Sequence, residues 1–594
     1  MADPSAPRSP LDAANLNHLW AQLLVEELVR SGVDTFFLAP GSRSTPLTTA
    51  VARHPTAQPV IHVDERGTAF AALGYGRATG RPAGWITTSG TAVANGFPAV
   101  VEASTDGVPL LLLTADRPPE LRDTGANQTV DQVKAFGDSV RWQFDLPTPT
   151  VDIAPRMVLT TADQAVHRAR RVPPGPVHVN CMFRKPLEPR PDGIDHDAYT
   201  KGLVAWAEQH APHTRYPSTR PVAGEAETAA VAEAVRGAEQ GLLIAGRLDT
   251  ETERAAVQRL AQHLGWPLLP DVTSGLRFGA SEACIAHADQ VLTNSAFRAA
   301  HTPDAVVHVG GRFVSKRLRQ YVEAAQPSCH LVVRPDPSRL DPGHQATHHV
   351  ESDVASFCAV LSEHVRAADR GSSWQEAWRA AERAARAAID RFAQDAEALS
   401  EPLVAYRTTQ HIPPHHALVL ASSMPVRDAN RYGYAEGAAV PVFANRGASG
   451  IDGTVATAAG VATGRDAPAT LVIGDLALLH DLNSLALLRD RPVIALVLNN
   501  DGGGIFHFLP IAEHGDVFDP YFTTPHHRSF EQAAAMFDLD YAQPATDAAF
   551  VAAYRAACDR GQSALIEVKT DRAENRALHD ALEQRIARAV ASAG

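Results

Sequence analysis

The chain has 594 residues, of which 45% are hydrophobic and 20% charged, and its formal net charge is −13. That length exceeds a single hydrophobic core and indicates three or four domains of ordinary globular composition. The acidic balance argues against a nucleic-acid or anionic-membrane partner, since both require a basic surface, whereas a small anionic ligand needs only a few local arginines.

The N-terminus and the cysteines bear on the cell compartment. The start, MADPSAPRSPLDAANLNHLW, lacks an apolar stretch behind a basic one. The longest apolar run, VPLLLLTA, is far shorter than the roughly 20 residues of a membrane span. Five scattered cysteines without C-x-x-C spacing indicate reduced, mostly buried thiols: Cys181, Cys284, Cys329, Cys358 and Cys558. We therefore expect a cytoplasmic protein.

Residues 12–190 alternate helix-like and strand-like segments. The helix-like segments are LNHLWAQLLVEELVRSG and GTAFAALGYGRATG, and the strand-like ones are TFFLAPGS, PVIHVDE, AGWITTSG, PLLLLTADRP and GPVHVNC. Short β-rich runs between helices predict a parallel sheet covered on both faces. Residues 191–221 are rich in proline and polar groups, which is typical of a linker.

Two further blocks follow the linker. Residues 222–370 form a middle α/β block that includes GLLIAGRLDTETERAAVQRLAQHLG and CHLVVRPDP. Residues 371–400 predict a solvated connecting helix, and residues 401–585 a third block from ALVLASSMPVRDANRY to SALIEVKTD. The predicted fold class is α/β, with three doubly wound parallel-sheet domains.

One segment of the third block, GDLALLHDLNSLALLRDRPVIALVLNNDGGGIF at residues 474–506, carries chemistry. It predicts the strand ATLVIG, a loop, the helix DLNSLALLRD and the strand PVIALVLN. A helical crossover brings the ends of two parallel strands to the same edge of the sheet. Asp475 and Asn500 should therefore face one crevice, where open α/β sheets bind ligands.

These side chains predict a metal site. A carboxylate from Asp475, an amide oxygen from Asn500 and a backbone carbonyl from Gly502 make an oxygen set that suits Mg²⁺, with Mn²⁺ as a substitute. The glycines of NDGGGIF allow backbone to approach a magnesium-bound diphosphate closely. The alternative is that Asp475 and Asn500 only form turns, which both residue types favour.

This segment resembles the signature of the thiamine-diphosphate enzymes, GDG followed by NN, with Leu476 at the third position. In that superfamily a glutamate of the N-terminal domain hydrogen-bonds the cofactor's aminopyrimidine ring, and PVIHVDERGTAF places Glu65 at the matching position. The alternative for Glu65 is an acidic residue that stabilises a helix N-terminus.

Longer stretches narrow the resemblance to the MenD family, the 2-succinyl-5-enolpyruvyl-6-hydroxy-3-cyclohexene-1-carboxylate synthases. They are APGSRSTPL, DERGTAFAALGYG, TSGTAVANGFPAVVEA, LLTADRPPELRDTGANQ, SKRL, NRGASGIDG and GDLALLHDLNSLALLR. That family itself carries GDL. The resemblance implies a transferase of menaquinone biosynthesis that decarboxylates 2-oxoglutarate on thiamine diphosphate and adds the succinyl carbanion equivalent to isochorismate.

The resemblance also implies site residues. Glu65 would favour the reactive tautomer of the pyrimidine, Ile451 would hold the cofactor bent, and Ser423 and Ile505 would contact it. Arginine forks suit dicarboxylate substrates, and the matching substrate-binding positions are Ser42, Arg43, Arg117, Asn127, Gln128, Lys316, Arg317, Arg427, Arg446 and Phe506. Of these, Arg43, Arg117, Gln128 and Arg427 join Glu65 as catalytic candidates. His480 and His507 receive no role.

The resemblance further implies a homodimer or homotetramer with the active site at the subunit interface, and no flavin. Three alternatives stay open. One is another thiamine-diphosphate enzyme, such as an acetolactate synthase or a 2-oxo-acid decarboxylase. A nicotinamide-dinucleotide enzyme would need G-x-G-x-x-G spacing, which GYGRATG lacks. A non-catalytic binding module on the same fold is the third.

Overall fold

The computed structural model describes residues 9–281, 283–367, 372–489 and 491–593. Three sheets, all of whose pairings are parallel, organise these residues. The predicted fold class is therefore confirmed. The domain limits stay predictions, and the one at 370/371 lies outside the described residues.

The first sheet has the strand order β2-β1-β3-β4-β6-β5. Its strands are β1 Thr35–Leu38, β2 Gln58–Ile61, β3 Ala83–Thr87, β4 Leu110–Asp116, β5 Trp142–Leu146 and β6 Pro176–Met182. The helices of this part are α1 Leu16–Arg30, α2 Thr45–Arg53, α3 Glu65–Thr79, α4 Thr91–Asn95, α5 Phe97–Asp106, α6 Arg156–Arg170, α7 His196–Thr200 and α8 Val204–Ala207. Strands β3, β4 and β6 are buried throughout, as helices on both faces of a parallel sheet require.

The second sheet has the order β11-β10-β9-β7-β8. Its strands are β7 Gly241–Ala245, β8 Leu268–Pro270, β9 Ala305–Val309, β10 Cys329–Arg334 and β11 His348–Glu351. The accompanying helices are α9 Glu225–Arg236, α10 Glu251–Leu264, α11 Ala288–Val291, α12 Ser295–Ala300, α13 Lys316–Ala325 and α14 Val354–His364.

The third sheet has the order β13-β12-β14-β15-β17-β16. Its strands are β12 Ala417–Leu420, β13 Val442–Phe443, β14 Ala469–Gly474, β15 Val493–Asn499, β16 Asp540–Ala542 and β17 Ala564–Lys569. The helices of the C-terminal part are α15 Ser373–Asp395, α16 Glu401–His411, α17 Met424–Tyr432, α18 Thr454–Arg465, α19 Asp475–His480, α20 Gly515–Phe518, α21 Glu531–Met536, α22 Asp547–Arg560 and α23 Arg572–Ala591.

The described residues form two compact units. The first contains residues up to 219 together with 445–466 and the described part of 480–491; the second contains 220–444, 467–479 and 492–593. Within the first unit α3 lies against α18. A Cβ atom on Gly460 would come within 1.9 Å of Ala71 O, and one on Gly74 within 2.2 Å of Thr457 O. These two glycines therefore permit the close approach of the helices.

Two predicted helices differ from the structure. Within the predicted crossover helix DLNSLALLRD, whose last residue lies outside the described residues, the structure has a 3-10 helix, Leu482–Leu488. The loop predicted before it contains α19, Asp475–His480. The Asp481 side chain accepts from Ser484 Oγ and Ala456 N within the first unit. Helix α15 was predicted to be solvated, but it buries one face that includes Trp374, Trp378, Ile389 and Phe392. Its charged residues cover the opposite face, as in any amphipathic helix.

No helix among the described residues is long and apolar enough to cross a membrane. All five cysteines are free thiols, four of them buried, in agreement with the prediction from their spacing.

Candidate active site

Asp475 lies at the end of β14, where it becomes the first residue of α19. Its carboxylate is buried and accepts hydrogen bonds from Gly502 N at 2.9 Å, from Leu476 N at 2.6 Å and from His526 Nε2 at 3.1 Å. Burial raises the pKa of this carboxyl, and the Gly502 and His526 bonds act in the opposite direction. Because β14 and β15 are adjacent and parallel, the crossover brings Asp475 to the turn that follows β15, as the sequence predicts.

The two asparagines after β15 differ in how their amides are bound. Asn499 donates from Nδ2 to Glu567 Oε1 at 2.7 Å and to Arg528 O at 2.9 Å, and its Oδ1 accepts from Asp501 N. Asn500 donates from Nδ2 to Glu401 Oε1 at 2.8 Å, but its Oδ1 is buried without a hydrogen-bond partner. Of these two side-chain oxygens, that of Asn500 is therefore the one left without any hydrogen bond.

The glycine turn after Asn500 is shaped for close approach of backbone. Gly502 has φ +135°, and a Cβ atom there would come within 2.0 Å of Thr523 O. Gly503 N donates to the same oxygen at 2.6 Å. Ile505 and Phe506 follow, both half-buried, and Phe506 packs edge-on against Phe522 with ring centroids 5.6 Å apart.

The oxygens of this turn fit a magnesium ion. A buried carboxylate and a buried amide oxygen with no partner are hard ligands, and an unsatisfied polar atom in the interior of a protein requires an explanation. Gly502 O already accepts from Gly504 N and keeps a second lone pair. The set predicted from the sequence, Asp475, Asn500 and Gly502, is therefore chemically suited to a metal.

Ser423 and Arg427 lie at the start of α17. Ser423 has φ +75°, a conformation that costs a non-glycine residue free energy and is frequent at functional sites. Arg427, one turn further along the helix, donates from Nη1 to Ser423 O. The guanidinium therefore stays at the N-terminal end of α17, where the helix dipole also favours an anion.

In the first unit, Glu65 opens α3 and is half-buried. Its Oε2 accepts from Asn95 Nδ2 at 3.2 Å. Asp64, the residue before it, caps the helix by accepting from Arg66 N. Water therefore reaches Glu65 in the single chain, although a carboxylate that binds a pyrimidine needs a dry environment.

Arg43 and Arg117 form a buried cationic pair. Arg43 donates from Nη1 to Phe183 O at 2.8 Å, and Arg117 donates from Nη1 to Gln128 O at 2.7 Å and to Ser89 Oγ. Burial lowers the pKa of Arg43, and repulsion from Arg117 lowers it further. Two guanidinium groups held this way by neutral oxygens attract an anion.

The neutral donors predicted beside this pair are exposed. Ser42, Asn127 and Gln128 all have solvent-accessible side chains. Gln128 has φ +55° and donates from Nε2 to Ser89 O at 2.9 Å. The structure thus brings Gln128 to the arginine pair through its backbone carbonyl and its amide.

Lys316 and Arg317 begin α13 of the second unit. Lys316 is exposed, whereas Arg317 forms ion pairs with Asp289 at 2.7 Å and Glu583 at 2.8 Å. Two carboxylates already neutralise Arg317, so its charge is less available to a substrate than those of Arg43 and Arg117.

Arg446 and Ile451 lie in the loop before α18, in the first unit. The buried carboxylate of Glu102 accepts from three successive backbone N–H groups of this loop, those of Gly447, Ala448 and Ser449, at 2.6–3.2 Å. Ile451 is 37% exposed, which is high for a large aliphatic side chain.

The two histidines without a predicted role have ordinary structural contacts. His480 accepts Arg66 Nη2 on its backbone oxygen at 2.8 Å, and its ring nitrogen lies 3.2 Å from Arg66 Nη1. His507 accepts from Arg576 at its carbonyl, and burial lowers the pKa of its ring.

Sequence reasoning missed four residues of this region: Asn95, Glu102, Glu401 and His526. Asn95, Glu401 and His526 each contact a predicted residue from another segment of the chain. Glu102 instead binds the backbone of the loop between Arg446 and Ile451. Asn95 and Glu102 both lie inside the quoted stretch TSGTAVANGFPAVVEA, so that motif could have indicated these two.

Comparison with known proteins defines the class first. Three thiamine pyrophosphate enzyme family models match the chain: the N-terminal TPP binding domain at residues 20–135, the middle domain at 197–420 and the C-terminal TPP binding domain at 430–568. A Mycobacterium smegmatis X-ray structure assigned to the thiamin diphosphate-dependent enzymes has a TM-score of 0.68 at 19% identity, covering 93% of this chain and 99% of its own. These matches place the chain among the thiamine-diphosphate enzymes by fold and cofactor domains.

Curated relatives define the family. Proteins named 2-succinyl-5-enolpyruvyl-6-hydroxy-3-cyclohexene-1-carboxylate synthase are 60% identical in Salinibacter ruber, covering 98% of each chain, and 56% identical in Rubrobacter xylanophilus, covering 95% of this chain and 97% of that one. A third protein of that name, from Chlorobium chlorochromatii, is 42% identical, covering 96% of this chain and 97% of its own. The chain belongs to this synthase family, which confirms the resemblance read from its motifs.

Proposed function

We propose that the protein decarboxylates 2-oxoglutarate on thiamine diphosphate and transfers the succinyl unit to isochorismate, forming 2-succinyl-5-enolpyruvyl-6-hydroxy-3-cyclohexene-1-carboxylate and CO₂ for menaquinone biosynthesis. Identity of 60% to a synthase of that name over 98% of both chains carries this proposal. The buried pair Arg43 and Arg117 supports it, because both substrates are dicarboxylates.

Each half of the cofactor has residues suited to it. Asp475, Asn500 and Gly502 hold Mg²⁺, or Mn²⁺ in its place, together with the diphosphate, and the N-terminal end of α17 at Ser423 adds donors. Glu65 binds the pyrimidine ring of the cofactor. It holds the proton that moves when the ring changes from one tautomer to the other. When bound, thiamine diphosphate supplies the electron sink that a 2-oxo acid needs to lose CO₂.

The remaining residues bind and orient the substrates. Arg43, Arg117 and Arg427 bind carboxylates, Gln128 fixes their orientation, and Ile451, Ile505 and Phe506 exclude water. Ser42, Asn127, Lys316, Arg317 and Arg446 are further substrate contacts, among which Arg317 must share its charge with Asp289 and Glu583.

A single assay tests this function. The full chain is incubated with thiamine diphosphate, Mg²⁺, 2-oxoglutarate and isochorismate, and the product is identified by mass spectrometry, with each component omitted in turn. We expect the named product only in the complete mixture. In a parallel incubation with pyruvate in place of both substrates, formation of acetolactate would instead favour the acetolactate synthase alternative.

The partial exposure of Glu65 supports a proposed assembly of more than one subunit. Its half-exposed carboxyl needs cover, and Ile61 and Val63 beside it are 65% and 76% exposed. A homodimer or homotetramer, with the active site at the subunit interface, supplies that cover. The protein acts on small dicarboxylates in the cytoplasm.

A further inference from the structure

Glu401 is a buried carboxylate beside the candidate metal ligands. It is the first residue of α16, where Ser400 caps the helix by accepting from Leu403 N, and it is 1% exposed. A carboxylate in the first turn is stabilised by the helix dipole. Thr570 Oγ1 donates to its Oε1 at 3.3 Å, and the same oxygen accepts from Asn500 Nδ2 at 2.8 Å.

The contact between Glu401 and Asn500 determines which way the Asn500 amide points. Glu401 Oε1 accepts two hydrogen bonds, from Asn500 Nδ2 and from Thr570 Oγ1, whereas an amide has a donating and an accepting end. Rotation of the amide by a half-turn would place Asn500 Oδ1 against Glu401 Oε1, two acceptors at hydrogen-bond distance. The contact therefore directs Oδ1 away from Glu401, and there Oδ1 is buried without a partner.

The neighbouring asparagine provides an internal comparison. Asn499 also donates to a buried glutamate, Glu567, but its Oδ1 is occupied by Asp501 N. Both amides are thus oriented by a glutamate from a distant segment. They differ in that the Oδ1 atom of Asn500, the amide oriented by Glu401, accepts no hydrogen bond at all.

We propose that Glu401 is a positioning residue that fixes the Asn500 amide so that Oδ1 is presented to the metal ion of the cofactor site. This role rests on the proposed function, since it needs Mg²⁺ at Asn500. Residues that orient a metal ligand without touching the metal typically contribute about 10- to 100-fold to metal affinity.

The test measures metal binding separately from activity. Mg²⁺ is titrated into the full-length protein with saturating thiamine diphosphate, and the half-saturating concentration is read from the rise in melting temperature. We expect Glu401→Leu, which removes the acceptor, to raise that concentration by about tenfold or more. Glu401→Gln keeps an oxygen that accepts from Asn500 Nδ2, so it should lie closer to wild type.

Glu382→Leu is the matched control. Glu382 is buried in the same unit and binds His287 at 2.7 Å, so its loss should lower the melting temperature while half-saturation by Mg²⁺ stays within about twofold of wild type. In the Asn500→Ala background, Glu401→Leu should add no further loss, because coupled residues are not additive.

The outcomes separate the two proposals. If wild type shows no stabilisation by thiamine diphosphate with Mg²⁺, the proposed function fails. If wild type responds and Glu401→Leu matches it, or if the Leu and Gln variants lose equally, the positioning role is overturned. Should the Leu variant not fold, a Gln variant with a tenfold or greater loss would overturn the role by itself.

Discussion

At the scale of single residues, Arg43 and Arg117 place two positive charges together in the interior of the first unit. Neutral oxygens hold both groups, and the depressed pKa of Arg43 reflects burial and mutual repulsion. Their proximity therefore stabilises the folded chain little. Under the proposed function, the pair would bind an anionic substrate, whose charge would relieve the repulsion.

Arg117→Met should consequently lower kcat/KM for 2-oxoglutarate and isochorismate by about tenfold or more while changing the melting temperature little, since a charged hydrogen bond to substrate is worth about 1.5–3 kcal/mol. Steady-state kinetics and thermal unfolding measure the two effects. A large loss of stability with unchanged kinetics would contradict the assignment.

Arg122→Met is the matched control for that substitution. Arg122 pairs with Asp116 at 3.1 Å and with Asp145 at 3.0 Å, so its removal deprives two carboxylates, one of them fully buried, of this ion pair. We expect this variant to lose about 1–3 kcal/mol of stability, the opposite of what Arg117→Met should do.

At the scale of elements, Asp481 links the 3-10 helix Leu482–Leu488 to α18. It accepts from Ala456 N at 3.1 Å and Ser484 Oγ at 2.7 Å, and burial raises its pKa to about 6. The folded protein therefore binds this proton more tightly than the unfolded chain. The resulting stability is complete below the unfolded pKa near 4 and is lost as pH rises through about 6.

Asp481→Asn removes this titration. Its amide oxygen can still accept from Ala456 N, and its Nδ2 can donate to Ser484 Oγ, with the direction of that bond reversed. Relative to wild type, the free energy of unfolding of the variant should rise between about pH 4 and pH 7, by up to about 3 kcal/mol. Chemical denaturation of the two proteins across that range measures the difference. A difference that does not change with pH would show that the pKa of Asp481 is the same in the folded and unfolded chains, and would contradict the prediction.

The loop that carries Arg446 and Ile451 depends on Glu102 of α5. Three loop N–H groups and Arg77, at 2.9 Å, all bind this carboxylate. Glu102→Ala should therefore speed hydrogen exchange at Gly447, Ala448 and Ser449 and raise the concentration of thiamine diphosphate that half-saturates the enzyme. Unchanged hydrogen exchange in α1 is the internal control. An equal rise in the exchange rates of the loop and of α1 would indicate general unfolding instead.

At the scale of the whole molecule, the sequence best predicted the features that depend on residues close together in the chain. Continuous apolar runs separated by helices predict three parallel sheets, and a crossover places Asp475 and the turn after β15 at one edge. Glu401 and His526 escaped prediction because they reach Asn500 and Asp475 only through the tertiary fold. The charged residues of α15 concealed its buried face for a similar reason, since the contacts that bury it come from distant elements, among them α12, α13 and α23. The domain limits remain predictions.

The proposed assembly makes the last prediction, because it assigns the two halves of the cofactor site to different subunits. Glu65→Gln removes the carboxylate that binds the pyrimidine, and Asp475→Asn removes the carboxylate that binds the metal ion. Each pure variant should therefore be inactive. In a mixed dimer of the two, one site would carry both substitutions and the other neither. Random re-association of equal amounts should then restore about a quarter of wild-type activity, because a two-fold dimer has two equivalent sites.

If Glu65 and Asp475 of one chain served the same site, every site in the mixture would carry one substitution and activity would stay absent. The experiment needs subunits that exchange, so the mixture is dissociated and reassembled, or the two variants are co-expressed with different tags. Wild-type protein treated identically sets the reference. Recovered activity that co-purifies with both tags would establish that neighbouring subunits complete each other's site.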